Sequence, residues 1–179
     1  ADDGMLYIGG YQYGISGYDT NKGEFTFNIQ NFHQPEGFVM MNGKAYYGTY
    51  TGAVIYRYDP AQPIDYKRDL STEGNPCMVA DIGEMQDRPF VMETAWENTI
   101  LIGSIPDYGE LGGAITVYHE DENGKPDFKT YRNLFPNHAI GGLAYKDGKI
   151  YVGTTISGGI GIDPVESQAK FAVIDAKTM

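Results

Sequence analysis

The chain has 179 residues, 41% of them hydrophobic, with 13 Lys and Arg against 24 Asp and Glu for a net charge of −11. That length and apolar share suit one domain with a packed core and exclude a disordered tail. The acidic balance opposes a phosphate backbone or an anionic bilayer, and the apolar runs fall far short of the roughly 20 residues of a membrane-spanning helix, so neither nucleic acid nor a membrane span is expected.

The predicted elements are short runs rich in Tyr, Ile, Val, Phe and Thr, punctuated by Asp-Gly, Asn-Gly, Asp-Pro and Gly-Gly. That is the pattern of antiparallel strands joined by tight turns. In chain order, GMLYIGG from Gly4 is followed by GISGYDTNKGE from Gly14 and FTFNIQ from Phe25. Next come FVMM from Phe38, GKAYYGT from Gly43, AVIYRYDPAQP from Ala53 and DYKRDL from Asp65. A third set holds FVMETA from Phe90, NTILIGS from Asn98, AITVYHEDENGK from Ala114 and FKTYRNL from Phe128. The last set holds GLAYK from Gly142, GKIYVGT from Gly148 and FAVIDAKT from Phe171. The glycines Gly9, Gly48, Gly103 and Gly153 recur 39, 55 and 50 residues apart.

Four strands in a period of about 50 residues is the signature of a propeller blade. The sequence therefore predicts an all-β propeller of about three and a half four-stranded antiparallel blades. A partial first blade spans 4–31, a second 36–70, a third 88–134 and a partial fourth 139–179, with a lengthened link over 71–87. Propellers close with roughly 4 to 8 blades, each needing a neighbour on both sides. The chain thus reads as part of a larger ring, or half of one, completed by a second copy or the rest of a longer chain. A helical turn is expected in the long hairpin 156–170, where Asp163, Pro164 and Glu166 resemble an N-cap, a first-turn proline and a capping-box acid.

The glycine-bearing strands, GKIYVGT in the best copy, followed by runs such as FAVIDAKT, resemble blades of secreted bacterial propellers, namely surface-layer repeats and the quinoprotein-like group. The resemblance covers nearly the whole chain and implies an extracellular or cell-surface location. Quinoprotein dehydrogenases typically carry a Trp late in each repeat, whereas this sequence has only Trp96, so no quinone cofactor is implied. Similar blades in polysaccharide-processing proteins imply a carbohydrate-like ligand.

Aligning polar residues on the repeat suggests a site. His33 and His138 each lie 11 residues before a lysine that opens the glycine-bearing strand, and the same count back from Thr99 gives Arg88. All three are expected at the mouth of an innermost strand, rimming the channel, with Glu36, Gln86, Asp87 and Asn137 around them. Arg88 has the planar fork to clamp a carboxylate, and His33 or His138 suits general acid or base work near neutral pH, which would make a lyase or hydrolase active on an acidic glycan. Tyr50 and Tyr108, with Tyr11 and Tyr13, fall in loops at the same end and offer faces for a sugar ring. Tyr7, Tyr46, Tyr47, Tyr56, Tyr58, Tyr118 and Tyr151 fall inside strands and are assigned to packing. No metal site and no cofactor is predicted: HEDENGKPD from His119 lacks the order of a calcium loop, and ISGGIG from Ile156 lacks the lysine of a phosphate loop. The sequence-level reading is a propeller binding a carbohydrate or other small polar ligand through its channel-face loops. An enzyme and a non-catalytic protein-interaction scaffold are the alternatives.

Overall fold

A computed structural model describes residues 4–68 and 70–179. Asp69, inside the predicted DYKRDL strand and second blade, and residues 1–3, inside the predicted propeller region, lie outside the described residues. Four antiparallel sheets follow one another along the chain. The first holds β1 (Met5–Gly9), β2 (Ile15–Asp19) and β3 (Glu24–Ile29). The second holds β4 (Gln34–Met41), β5 (Lys44–Tyr50), β6 (Val54–Tyr58) and β7 (Cys77–Asp81). The third holds β8 (Gln86–Thr94), β9 (Thr99–Pro106), β10 (Ala114–Glu120) and β11 (Pro126–Arg132), and the fourth β12 (Ala139–Lys146), β13 (Lys149–Thr155) and β14 (Phe171–Asp175). Every sheet is a meander of sequence neighbours, the arrangement of propeller blades.

Two local expectations differ from the structure. The outer strand of the second sheet is Cys77–Asp81, within the stretch read as a link, rather than the run from Asp65. Asp65 makes only an isolated bridge with Asn75. The reason lies in burial and in Asn75. Val79 and Ala80 are buried on the neighbouring strand and cover Ile55, whereas the charged run before them is exposed. The Asn75 amide donates to the carbonyls of Asp59, Gln62 and Pro63 and accepts from the Asp59 N–H, tying off the excursion between them. The helical turn expected around Asp163 is absent, and residues 162–166 have no regular secondary structure.

Each sheet has a trailing face, turned to the sheet before it, and a leading face, turned to the sheet after it. The period-two alternation of β1, β5, β9 and β13 sorts their side chains between these faces. Tyr7 leads from the first sheet into a cluster with Ala45, Tyr47, Tyr56 and Tyr58 on the trailing face of the second. Tyr46 and Ile55 lead from the second towards Ile100, Ile102 and Tyr118 of the third, and Leu101 and Ile115 lead from the third towards Ile150 and Val152 of the fourth. Each such fully buried aliphatic side chain contributes roughly 1.5–3 kcal/mol by leaving water. Glycines admit the inner strand of the following sheet. A Cβ on Gly9 would lie 2.6 Å from Pro35, one on Gly48 2.7 Å from Pro89, and one on Gly103 2.5 Å from Ile140.

Among the described residues two ion pairs cross the second interface, Arg57–Glu120 and Arg88–Glu36. Arg57 Nη1 donates to Glu120 Oε1 at 2.8 Å and to the Gly124 carbonyl at 3.1 Å, while the buried Tyr118 hydroxyl donates to the same Glu120 oxygen at 2.6 Å. The strands β2, β6, β10 and β14 each end in or run directly into an aspartate, Asp19, Asp59, Asp121 or Asp175, whose Oδ1 accepts backbone N–H of the following turn. Two such amides hold the Asp19 carboxyl below its ordinary range, Lys22 N–H foremost, and Lys125 N–H leads the same effect at Asp121. HEDENGKPD is accordingly the β10–β11 hairpin.

Candidate functional site

Antiparallel meanders bring the links into the innermost strands and the loops after the glycine-bearing strands to the same end. A cavity of about 580 Å³ opens there over the first three sheets. Tyr11, Gln12 and Tyr13 reach it from the loop after β1, where Gly10 N–H donates to the Gly14 carbonyl and holds both tyrosines outward in solvent. His33 and Gln34 enter from the start of β4, Tyr50 and Thr51 from the end of β5, Arg88 from β8, and Tyr108 and Ile160 from the loops after β9 and β13.

The floor is organised by Arg88. Its Nη1 donates to Glu36 Oε1 at 2.7 Å, and the same oxygen accepts from Gln34 Nε2 at 2.6 Å. The guanidinium also lies over the Tyr50 ring, 4.1 Å from its centroid, where the negative face of the ring attracts the cation. The Tyr50 and Tyr108 hydroxyls meet at 2.9 Å, and that bond, before any other cause, pushes the Tyr50 phenol above its ordinary pKa. Tyr108 is positioned by Asp107 Oδ1, which accepts its N–H, and by Gly109 N–H donating to the Ile160 carbonyl. His33 stacks on the buried Tyr56 ring at 5.3 Å, leaving one edge towards the cavity.

The structure thus brings His33, Arg88, Tyr50 and Tyr108 to one cavity, with Glu36 directly beneath, and takes four residues away from it. His138 is fully buried, its Nδ1 at 2.7 Å from the Pro136 carbonyl oxygen and its Nε2 at 3.1 Å from that of Gln168. Both ring nitrogens serve the fold, so the predicted catalytic role of His138 is withdrawn. Gln86 is buried, accepting from Ser104 Oγ at 2.7 Å and donating to the carbonyls of Glu84, Met85 and Gly112. Asn137 donates to Glu166 Oε1 at 3.0 Å in the loop beside β14's long hairpin. Asp87 is buried and accepts from Gly52 N–H at 2.8 Å; burial, partly offset by that bond, holds its carboxyl above the ordinary range.

The equivalence between Arg88 and the two histidines is off by one residue. Gly37 pairs with Gly48 and Gly142 with Gly153, 11 residues apart, but Val91 pairs with Gly103, 12 apart. The turn after β8 holds one more residue. Counted along the inner strands, His33 and His138 correspond to Asp87, and Arg88 corresponds to Gln34 and Ala139. The former position is an anchor to the preceding sheet: the carbonyls of Asp87 and His138 accept from Ala53 and Gly113 N–H. At the latter, Gln34 and Arg88 line the cavity, whereas Ala139 is fully buried. Gln12, Thr51 and Ile160 were not anticipated. The positive φ of Gln12 belongs to a loop conformation that no sequence motif signals, and Ile160 arrives from a hairpin whose path the repeat does not fix.

Among the described residues no three His, Cys, Asp or Glu side chains gather as a metal site, and no helix is long and apolar enough to cross a membrane. No protein-family model matches the chain, and no curated protein does. Solved structures do. The β-propeller domain of Cps50 (Swd1) from Myceliophteria thermophila superposes with a TM-score of 0.60 at 11% identity, over 99% of this chain and 50% of that one. Hydrazine synthase from Kuenenia stuttgartiensis gives 0.65 at 15% identity, over 99% and 49%. The chain has a propeller fold and spans about half the length of these neighbours.

Proposed function

We propose that this propeller segment binds a carbohydrate-like ligand at the cavity under Tyr11, Tyr13 and Tyr108, and does so without catalysis. One observation carries the reading: the Tyr50–Tyr108 hydroxyl pair, braced by Arg88, at the edge of a cavity whose exposed aromatic faces alternate with Gln12, Gln34 and Thr51. Aromatic faces suit the apolar side of a pyranose, and amides and hydroxyls suit its rim. A neutral sugar fits better than an acidic one, because Glu36 already neutralises Arg88 and the chain as a whole is strongly negative. That pairing, with the burial of His138, also removes two of the three groups a lyase or hydrolase would need. We place the protein outside a bacterial cell on the resemblance of its blades to secreted propellers; finding the native protein in the cytoplasmic fraction of its source would overturn that.

The test is isothermal titration of the chain with neutral β-linked oligosaccharides and with oligouronates. Binding of the neutral series, lost in Tyr108→Ala and weakened in Tyr11→Ala with the fold intact by circular dichroism, supports the reading. Binding only of uronates, or binding indifferent to both substitutions, refutes it, and release of cleaved product refutes its non-catalytic part.

A further inference from the structure

The fourth sheet carries a complete seat for a neighbour that none of the described residues fills. At the position opposite the glycine of β1, β5, β9 and β13 stand Ile15, Ile55, Ile115 and Phe171. The three isoleucines are at most 1% exposed, whereas Phe171 is 73% exposed, and Val173 on the same leading face is 49% exposed. The glycines repeat the contrast. In the second sheet Gly37 and Gly48 are paired across β4 and β5, and the inner-strand residue Pro89 of the next sheet presses on both. The fourth sheet has the same pair in the same register, Gly142 and Gly153, each just after an inner-strand bulge. A Cβ on Gly142 would meet nothing within 4 Å, and one on Gly153 nothing nearer than 3.9 Å.

A second copy of this chain does not supply what the glycine pair receives. At the other end of the row, Leu6 and Ile8 form an uncovered trailing face, 52% and 36% exposed where their counterparts in the later sheets are at most 1% exposed. That sheet, however, has no described strand inside β1. We infer that the open face of the fourth sheet, Gly142, Tyr151, Gly153, Phe171 and Val173, is the seat of a further four-stranded blade of the same repeat, carried on polypeptide outside this sequence. Its inner strand bears a proline or β-branched residue at the position of Pro35, Pro89 and Ile140. The match to half the length of a solved β-propeller domain accords with this, and the inference is independent of any ligand.

The probe is the chain given a strand inside β1: residues 82–98, the inner strand of the third sheet with its turn, in place of residues 1–4. Light scattering should return one 19.8 kDa species for the chain itself. The extended chain should show twice its monomer mass, and Gly153→Leu in it should restore the monomer with an unchanged circular dichroism spectrum. A folded extended chain that stays monomeric, pairing that survives Gly153→Leu, or a dimer of the unextended chain each overturns the inference. Two measurements do not depend on the extension. Gly103→Leu should lower the melting temperature of the unextended chain while Gly153→Leu leaves it unchanged. Anilinonaphthalene sulfonate should bind the chain and lose fluorescence with Phe171→Asp and Val173→Asp together. A melting loss with Gly153→Leu, or dye binding indifferent to both aspartates, shows that the seat is not open and overturns it equally.

Discussion

Replacing Glu120 by alanine strikes the interface between the second and third sheets at a buried charge. Glu120 has 6% of its side chain exposed, and its Oε1 accepts from both Arg57 and Tyr118. Removing one partner of a buried pair leaves the other uncompensated, which costs about 3–5 kcal/mol, and a stranded buried hydroxyl adds about 1–3 kcal/mol. Arg57 remains 23% exposed and keeps its bond to the Gly124 carbonyl, so water and backbone absorb part of the loss. The combined expectation is about 3–5 kcal/mol, and at roughly 2–4 °C per kcal/mol for a chain of this size the melting midpoint falls by roughly 6–20 °C. Circular dichroism melts and urea titrations of Glu120→Ala, Arg57→Ala and the double variant measure it. The double variant should be less damaged than the sum of the singles, by a coupling of about 1 kcal/mol or more. A loss under about 1 kcal/mol for Glu120→Ala, or strict additivity, would refute the assignment of this pair as an interface lock.

Asp87 offers a pH prediction. Because burial raises its folded-state pKa above the unfolded value, the folded chain binds the extra proton more readily, and this group's contribution to stability grows as pH falls through that raised value. Asp19 and Asp121 act in the opposite sense, stabilising above the ordinary carboxylate range and losing that contribution as pH falls through their lowered values. Asp87→Asn should therefore hold or raise stability at neutral pH and steepen the loss on acidification, whereas Asp87→Ala strands the Gly52 N–H and loses about 1–3 kcal/mol; equal effects of the two in urea titrations at several pH values would contradict this. His138→Ala should lower stability by about 2–4 kcal/mol through a cavity and two abandoned carbonyls, with sugar binding retained below the melting range. Loss of binding from a chain still folded would return His138 to the site. Tyr108→Phe should bring the Tyr50 phenol back towards its ordinary pKa, read by NMR of ring-labelled tyrosine, and no movement would show that the hydroxyl pair is not formed in solution.

Strand order and sheet count were legible because they depend on local features: alternation, turn residues, and a glycine wherever the next sheet's inner strand crosses. What sequence could not supply was count and competition. The extra residue in the turn after β8 is silent in composition, yet it exchanges Arg88 with Asp87 in the repeat lattice. Residues 65–70 and 77–81 both have strand character, and the choice between them rests on Asn75 binding three carbonyls and on which run is apolar enough to cover Ile55. His33 and His138 share a position in the repeat, but one edge of His33 meets the cavity while the Gln168 carbonyl, from a hairpin 30 residues on, closes over His138. The site tyrosines were recoverable because loops at one end of a meander must converge.

The longer turn after β8 also makes the cavity handed. The second and third sheets present Gln34 and Arg88 at one lattice point, so the rim runs from an amide to a guanidinium. A polymer lying across it would find its two ends inequivalent, and reversing the polymer would exchange a neutral hydrogen-bonding partner for a charged one. One inserted residue, remote from the opening, is enough to turn a near-symmetric stack of blades into a surface with a direction of reading.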